Sequence, residues 1–253
     1  MVNKMSDILL KIDQLSKNYH TKNNEIKAIE DLSFDVYDNE ILAIVGPSGC
    51  GKSTLLSILA NLENKTSGTI NYRSNYKIGY MLQTDSLFPW LTVLENTLIG
   101  LDILNIKTKE NINNAINLLN NYGLKDFINS YPSNLSGGMK QRVALIRTLA
   151  TNPSLILLDE PFSALDYQTR LALSNDMYKI IKREKKTAIL ITHDIGEAVS
   201  MADRVVVLSK RPCKVKDIYE IKLENKINPI ENRKDKYFNY YYDKIWRDLD
   251  VHI

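Results

Sequence analysis

The segment Gly46-Pro47-Ser48-Gly49-Cys50-Gly51-Lys52-Ser53-Thr54 spells G-x-x-x-x-G-K-[ST]. Glycines at 46, 49 and 51 remove Cβ atoms and admit positive φ, so successive backbone N–H groups can converge on one anion. Upstream, Glu40-Ile41-Leu42-Ala43-Ile44-Val45 has the pattern of a buried strand. Downstream, Thr54-Leu55-Leu56-Ser57-Ile58-Leu59-Ala60 continues as a helix whose unsatisfied N–H groups face the same anion. Lys52 adds a point charge for the β- and γ-phosphates of a nucleotide, and the Ser53 hydroxyl can ligate Mg²⁺. A chance glycine-rich turn would not present strand, loop, Lys-Ser and helix in this order. Kinases, GTPases and transport ATPases share the loop, so it predicts a triphosphate-binding fold without choosing among them.

Composition narrows the class. The chain has 253 residues, 44% hydrophobic, with a formal net charge of +3 and both signs interspersed. No one-sided basic stripe stands out, so no nucleic-acid partner is expected. Two cysteines, one inside the loop, argue for a reducing compartment rather than a disulfide framework. The N-terminal Met1-Val2-Asn3-Lys4-Met5-Ser6-Asp7 is not a signal peptide, and no apolar run approaches the ~20 residues of a spanning helix. A role at a membrane therefore requires a partner.

Apolar runs and turn signals lay out the rest. Ile8-Leu9-Leu10-Lys11-Ile12-Asp13 and the run from Ala28 to Val36 read as strands around a polar turn, Thr21-Lys22-Asn23-Asn24. Strands are also expected at Gly68-Thr69-Ile70-Asn71-Tyr72 and at Ile78-Gly79-Tyr80-Met81-Leu82-Gln83. A loop exposing Phe88, Pro89 and Trp90 precedes a helix from about Thr92. Ile112, Ala115, Ile116 and Leu119 recur at helical spacing before a stop at Gly123. Another helix runs from Ser136 until Pro153 ends it. Leu155-Ile156-Leu157-Leu158-Asp159, Ala188-Ile189-Leu190-Ile191-Thr192 and Arg204-Val205-Val206-Val207-Leu208 are buried strands, with a helix over 167–184 between the first two. Beyond 210, a strand over 214–221 and a helix over 235–249 complete the chain.

Strands alternating with helices predict a mainly parallel sheet whose ligands bind at the carboxyl ends. The phosphate loop, Gln83, Asp159-Glu160 and His193 all fall at such ends. Asp159 is placed to hold Mg²⁺ through water, Glu160 to orient or deprotonate the attacking water, His193 to touch the γ-phosphate and Gln83 to reach the metal or the water. Singly, each has an ordinary explanation: a capping Asp, a surface Glu, a satisfied His, a turn Gln. Together they read as one active site. Leu135-Ser136-Gly137-Gly138-Met139-Lys140-Gln141-Arg142 is a second anion-binding helix start. One chain cannot easily turn two such sites on one triphosphate, whereas a head-to-tail pair can.

These motifs resemble the ATP-binding subunits of ABC transporters over nearly the whole chain. Residues 135–139 look like their signature motif, 46–53 their Walker A loop and 155–159 their Walker B strand, with Glu160 as catalytic carboxylate. Gln83 matches the Q-loop, Ser163-Ala164-Leu165-Asp166 the D-loop and His193 the switch histidine; Tyr19 falls where the family places its adenine-stacking aromatic. The resemblance implies a P-loop NTPase (RecA-like) α/β fold with N-terminal antiparallel strands and an inserted helical subdomain. It implies one domain over 7–250: a catalytic core (7–84 and 152–209), a helical subdomain (85–151) and a C-terminal extension (210–253). It implies an ATPase using ATP and Mg²⁺, with residues 46–54, Tyr19, Gln83, Ser136, Gly137, Gly138, Asp159 and Asp166 at the nucleotide and Ser53, Gln83 and Asp159 at the metal. Implied partners are a second copy, transmembrane permease subunits at the cytoplasmic face of the cell membrane and, indirectly, an external solute-binding protein. Residues 87–96 and 192–198 look like importers of the nitrate, sulfonate and taurine type, and thiamine-precursor importers are similar. Two positions depart from the pattern. Gly196 stands where relatives usually have a helix former, at a cost of ~1 kcal/mol in a helix interior, and Thr84 follows Gln83 where an acidic residue is common. A soluble ABC-type ATPase acting on a protein or nucleic-acid complex is the alternative, and a lone P-loop kinase or GTPase ranks last, since neither uses the 135–139 turn.

Overall fold

The computed structural model describes residues 8–20, 24–74, 76–163 and 165–249. The N-terminal segment 1–7, the turn residues Thr21, Lys22 and Asn23, Asn75, Ala164 of the expected D-loop and residue 250 onward lie outside the described residues. Two antiparallel strands, β1 (Ile8–His20) and β2 (Glu25–Tyr37), are followed by β3 (Ile41–Val45), α1 (Lys52–Leu59), β4 (Ser67–Tyr72) and β5 (Ile78–Met81). Then come α2 (Val93–Ile103), α3 (Lys109–Asn121), two short 3-10 turns and α4 (Gly137–Ala150). β6 (Leu155–Asp159), α5 (Tyr167–Arg183), β7 (Thr187–Ile191), α6 (Ile195–Met201), β8 (Arg204–Leu208), β9 (Val215–Glu220), α7 (Pro229–Asn232) and α8 (Phe238–Asp248) close the described chain.

The strands form two sheets, one in the order β2-β1-β4 and antiparallel, the other β5-β6-β7-β3-β8-β9. In the larger sheet every pairing is parallel except β8 with β9. Its strands β3, β6 and β7 are buried at every position, as the continuous apolar runs demand of a parallel sheet covered on both faces. One core joins this sheet to α4, α5, α6 and α8; another lies between it, α1 and the antiparallel sheet. Helices α2–α4 carry small cores of their own, around Leu119, Val143 and Ile146 and around Leu101 and Ala115. No helix among the described residues is long and apolar enough to cross a membrane.

β1 runs well past the expected Asp13. Bulges at Gln14 and beyond break its alternation: Gln14 adopts φ 48°, and the register with β2 shifts between Ile12 and Leu15. The same bulge dictates the residue across the sheet. Gly68 has φ +85°, and a Cβ there would lie 2.3 Å from Gln14 O. Gly196 corrects an expectation. It is not in a helix interior but in the first turn of α6, after the Asp194 cap, so the interior penalty does not apply. The missing side chain leaves room for Arg233, whose Nη1 would lie 2.7 Å from a Cβ.

In the first turn of α6, Glu197 is only 3% exposed. Its Oε2 accepts from Thr192 Oγ1 at 2.5 Å, and Arg170 Nε lies 3.8 Å from Oε1. Burial pushes its carboxyl up to about 7; the Thr192 hydrogen bond opposes the rise and Asp194 adds to it. A carboxyl whose folded pKa exceeds its unfolded value loses stability as pH climbs between the two, from about 4.5 to about 7. Glu197→Gln is therefore expected to flatten stability across that window and to raise the unfolding free energy at pH 8, by up to about 3 kcal/mol, but not at pH 4.5. A pH-independent offset in urea titrations would refute this. Gly68→Ala should cost about 2–3 kcal/mol through combined clash and backbone strain, read as a lower melting temperature.

Candidate functional site

β3 ends at Val45 and the chain turns through the loop into α1. Gly51 takes φ +129° at the helix N-cap, a conformation that admits glycine. The loop closes on itself: Cys50 N donates to Pro47 O at 3.2 Å, and Lys52 Nζ donates to Gly46 O at 2.8 Å and Pro47 O at 3.0 Å. A cavity of about 240 Å³ opens on this loop, lined by Ser48, Gly49, Gly51, Lys52, Ser53, Thr54, Glu160 and Arg211.

The sheet order delivers the other groups. β7 lies between β6 and β3, with Asp159 beside Ile191 and Ile44 beside Ile191. Ser53 Oγ is 3.4 Å from Asp159 Oδ1, and Tyr80 OH donates to Asp159 Oδ2 at 3.2 Å. Burial raises the Asp159 carboxyl above its ordinary range, against the pull of the Tyr80 and Ser53 hydrogen bonds. The Tyr80 phenol, half-buried and facing that carboxylate, is pushed up to about 12. Glu160 follows with φ 44°, a left-handed backbone that a non-glycine residue adopts at a cost of ~1 kcal/mol or more. Its N–H donates to Ile191 O at 3.0 Å, and its Oε2 is 3.0 Å from His193 Nδ1. His193 is thus joined to Glu160 beside the cavity.

The remaining sequence candidates stand farther out. Gln83 lies past the end of β5, exposed, and its Nε2 donates to Ser163 Oγ at 3.1 Å; Ser163 in turn donates to Glu160 O at 3.1 Å. Tyr19 is exposed on β1 with the Lys17 ammonium 4.7 Å from its ring centroid, and it does not line the cavity. Ser136 caps α4, its Oγ accepting from Met139 N at 3.3 Å. A Cβ on Gly137 would meet Leu165 and one on Gly138 would meet Thr169, each at an ordinary contact distance of 3.4 Å. None of the three lines the loop cavity. Asp166 caps α5, with Oδ1 accepting from Gln168 N and Thr169 N, and hydrogen bonding with Thr169 holds its carboxyl below the ordinary range.

Three residues escaped the sequence reading. Tyr80 reaches Asp159, Arg211 donates through Nη2 to Gly49 O at 2.8 Å, and Arg147 of α4 donates to Asp85 O at 2.7 Å and Ser86 O at 2.8 Å. Only tertiary pairing brings these together, so no local signal marks them. Arg147 steadies the segment after Gln83, which continues into the aromatic loop. There Asn96 is buried, taking Phe88 N–H on Oδ1 at 2.8 Å and donating from Nδ2 to Leu91 O at 2.9 Å. The loop so held leaves Trp90 69% exposed beside Phe88.

Among the described residues no cluster of three or more His, Cys, Asp or Glu is arranged to hold a metal. One hydroxyl and one carboxylate, Ser53 and Asp159, still fit Mg²⁺, which keeps several waters and takes phosphate oxygens as ligands.

The ABC transporter family matches residues 29–163. The ATP-binding protein YtlC of Bacillus subtilis is 43% identical over 95% of both chains. The formylaminopyrimidine import ATP-binding protein ThiZ of Halalkalibacterium halodurans is 42% identical over 81% of both. The aliphatic sulfonates import ATP-binding protein SsuB of Bacillus cereus is 38% identical over 84% of this chain and 86% of that one. The dimeric structure of MJ0796, a bacterial ABC transporter cassette, superposes with a TM-score of 0.71 at 32% identity, covering 84% of this chain and 99% of that one. The same cassette in a post-hydrolysis state with ADP and Pi gives 0.70 at 30% identity over the same shares. With its phosphate loop, buried Asp159 and adjoining Glu160–His193 pair, the chain belongs to the ABC transporter family of ATP-binding proteins and is an ATPase.

Proposed function

We propose that this chain powers an importer of a small solute, as the ATP-hydrolysing subunit of a head-to-tail pair seated under transmembrane permease subunits at the cytoplasmic face of the membrane. The observation that carries the reading is the exposed, glycine-lined start of α4, which lies outside its own chain's phosphate cavity. A second copy gives that helix tip a phosphate to face, and the dimeric MJ0796 cassette supports the pairing. The relatives' names point to sulfonates and to a formylaminopyrimidine. The solute is accordingly a sulfonate-, nitrate- or taurine-like anion or a thiamine precursor, handed over by an external binding protein. Residues 85–151 act as a helical subdomain carrying the α4 tip, 7–84 and 152–209 as the catalytic core, and 210–253 as an extension.

In this reading Lys52 and the loop amides hold the phosphates, while Tyr19 stacks on adenine. Ser53, Asp159 and Gln83 are the residues that would hold Mg²⁺, which when bound neutralises charge on the β- and γ-phosphate oxygens. Glu160 takes the proton of the attacking water. His193, oriented by Glu160, contacts the γ-phosphate. Ser136 and Gly138 contact it from the second copy, and Asp166 lies at the junction. Phosphoryl transfer depends on positioning and fixed charge, so an unpaired chain is nearly inactive.

Glu160→Gln should lower phosphate release by on the order of 10²–10⁴-fold while MgATP still binds and still drives dimers in size-exclusion chromatography. Wild-type turnover by that variant would remove Glu160 from its role. Trp90→Ala, in membranes carrying the permease, should lose most solute uptake while the isolated subunit keeps its ATPase rate. Undiminished uptake would mean that the Phe88-Pro89-Trp90 loop is not where the permease docks.

A further inference from the structure

The turn between β8 and β9 comes back to the phosphate loop from some 160 residues later in the chain. Arg211, exposed at its tip, donates from Nη2 to Gly49 O at 2.8 Å. This hydrogen bond ties the loop tip, residues 47–51, to a charged side chain from outside the loop, and Cys213, whose thiol neighbours that of Cys50, reaches the tip from the same turn. Within the loop, Lys52 Nζ donates to Gly46 O and Pro47 O and Cys50 N to Pro47 O.

The turn that carries Arg211 is itself fixed. Ser209 N donates to Lys214 O at 2.9 Å, and Lys214 N returns to Ser209 Oγ at 2.9 Å. Cys213 N donates to Ala28 O and Glu30 N to Cys213 O, each at 3.0 Å, and Lys214 Nζ lies 3.0 Å from Glu30 Oε2. The guanidinium therefore reaches the loop from a base tied into β2.

A hydrogen bond on Gly49 O orients one peptide plane. Because the peptide is trans, the Cys50 N–H points away from Arg211, and it closes on Pro47 O at 3.2 Å. That closure sets the turn from which Gly51, at φ +129°, delivers the chain into α1. A loop held in this way loses less conformational freedom when an anion docks. The same guanidinium lines the cavity with Lys52, adding positive charge where triphosphate is expected.

We propose that Arg211 is a nucleotide-positioning residue, holding the phosphate loop in its anion-ready shape through the Gly49 carbonyl. The proposal rests on the reading that this loop grips the phosphates. Losing one charge-assisted hydrogen bond to the loop should raise the dissociation constant for MgATP by about tenfold in Arg211→Ala. The KM for ATP should rise in step, while kcat at saturation falls by less than threefold. Arg211→Lys, which keeps one cation in reach, should recover part of the affinity. Cys50 supplies a readout that a merely structural role would not move. Its thiol is buried in the loop and drawn below the usual range by the neighbouring Cys213. In Arg211→Ala, iodoacetamide should label Cys50 several-fold faster without nucleotide, mapped by peptide mass, and MgATP should suppress the gain. The melting temperature should stay within a degree or two.

An unchanged dissociation constant together with an unchanged labelling rate would overturn the clamp. So would a collapse of kcat at unchanged KM, which would make Arg211 a participant in the chemistry instead. Lys52→Ala separates the two levels. If that variant binds MgATP as the wild type does, the phosphate-loop reading itself fails; if it loses binding while Arg211→Ala keeps it, only the clamp fails.

Discussion

Parallel alignment of three fully buried strands is the constraint from which the site follows. β3, β7 and β6 lie side by side with their carboxyl ends on one edge. Their interiors have no polar side chain to spare, so polar groups gather where the strands stop. One ends in the phosphate loop, one in Asp159 and Glu160, and one leads through Thr192 to His193. If β7 were displaced from between the other two, Asp159 would lose its approach to Ser53 and Glu160 its partner on Ile191.

Much of this was legible locally. Five-residue apolar runs, a glycine spacing and a carboxylate at a strand end are contiguous patterns, and Asp159, Glu160 and the loop fall together as the residues imply. The start of α4 was legible for the same reason, since Ser136 and two glycines form a helix cap within four residues. Contacts created by strand order left no such trace. Tyr80 reads as one more residue of an alternating strand until β5 is laid beside β6, and Arg211 is an exposed turn residue until β8 is laid beside β3. β1 looked shorter than it is because its bulge at Gln14 interrupts the alternation that marks a strand. Gly196 looked costly because its neighbour Arg233 lies far along the chain.

The electrostatics of the site are arranged around burial rather than net charge. Asp159 is kept from water and held between a phenol and a hydroxyl, while Glu160, one residue later, turns outward on a left-handed backbone toward His193. Two adjacent carboxylates thereby occupy different environments, which is how neighbouring acids come to do different work. Lys52, nearly inaccessible, spends its hydrogen bonds on loop carbonyls, donors that an incoming phosphate would claim.

Arg147 carries a mechanical implication. Its two guanidinium nitrogens grip two successive carbonyls, of Asp85 and Ser86, from the helix whose first turn holds Ser136 and the paired glycines. A two-pronged grip resists both sliding and twisting, so a shift of Asp85 and Ser86 would be passed to that helix rather than absorbed between them. The segment that leads to Phe88 and Trp90 is thereby braced from the same helix that begins at Ser136.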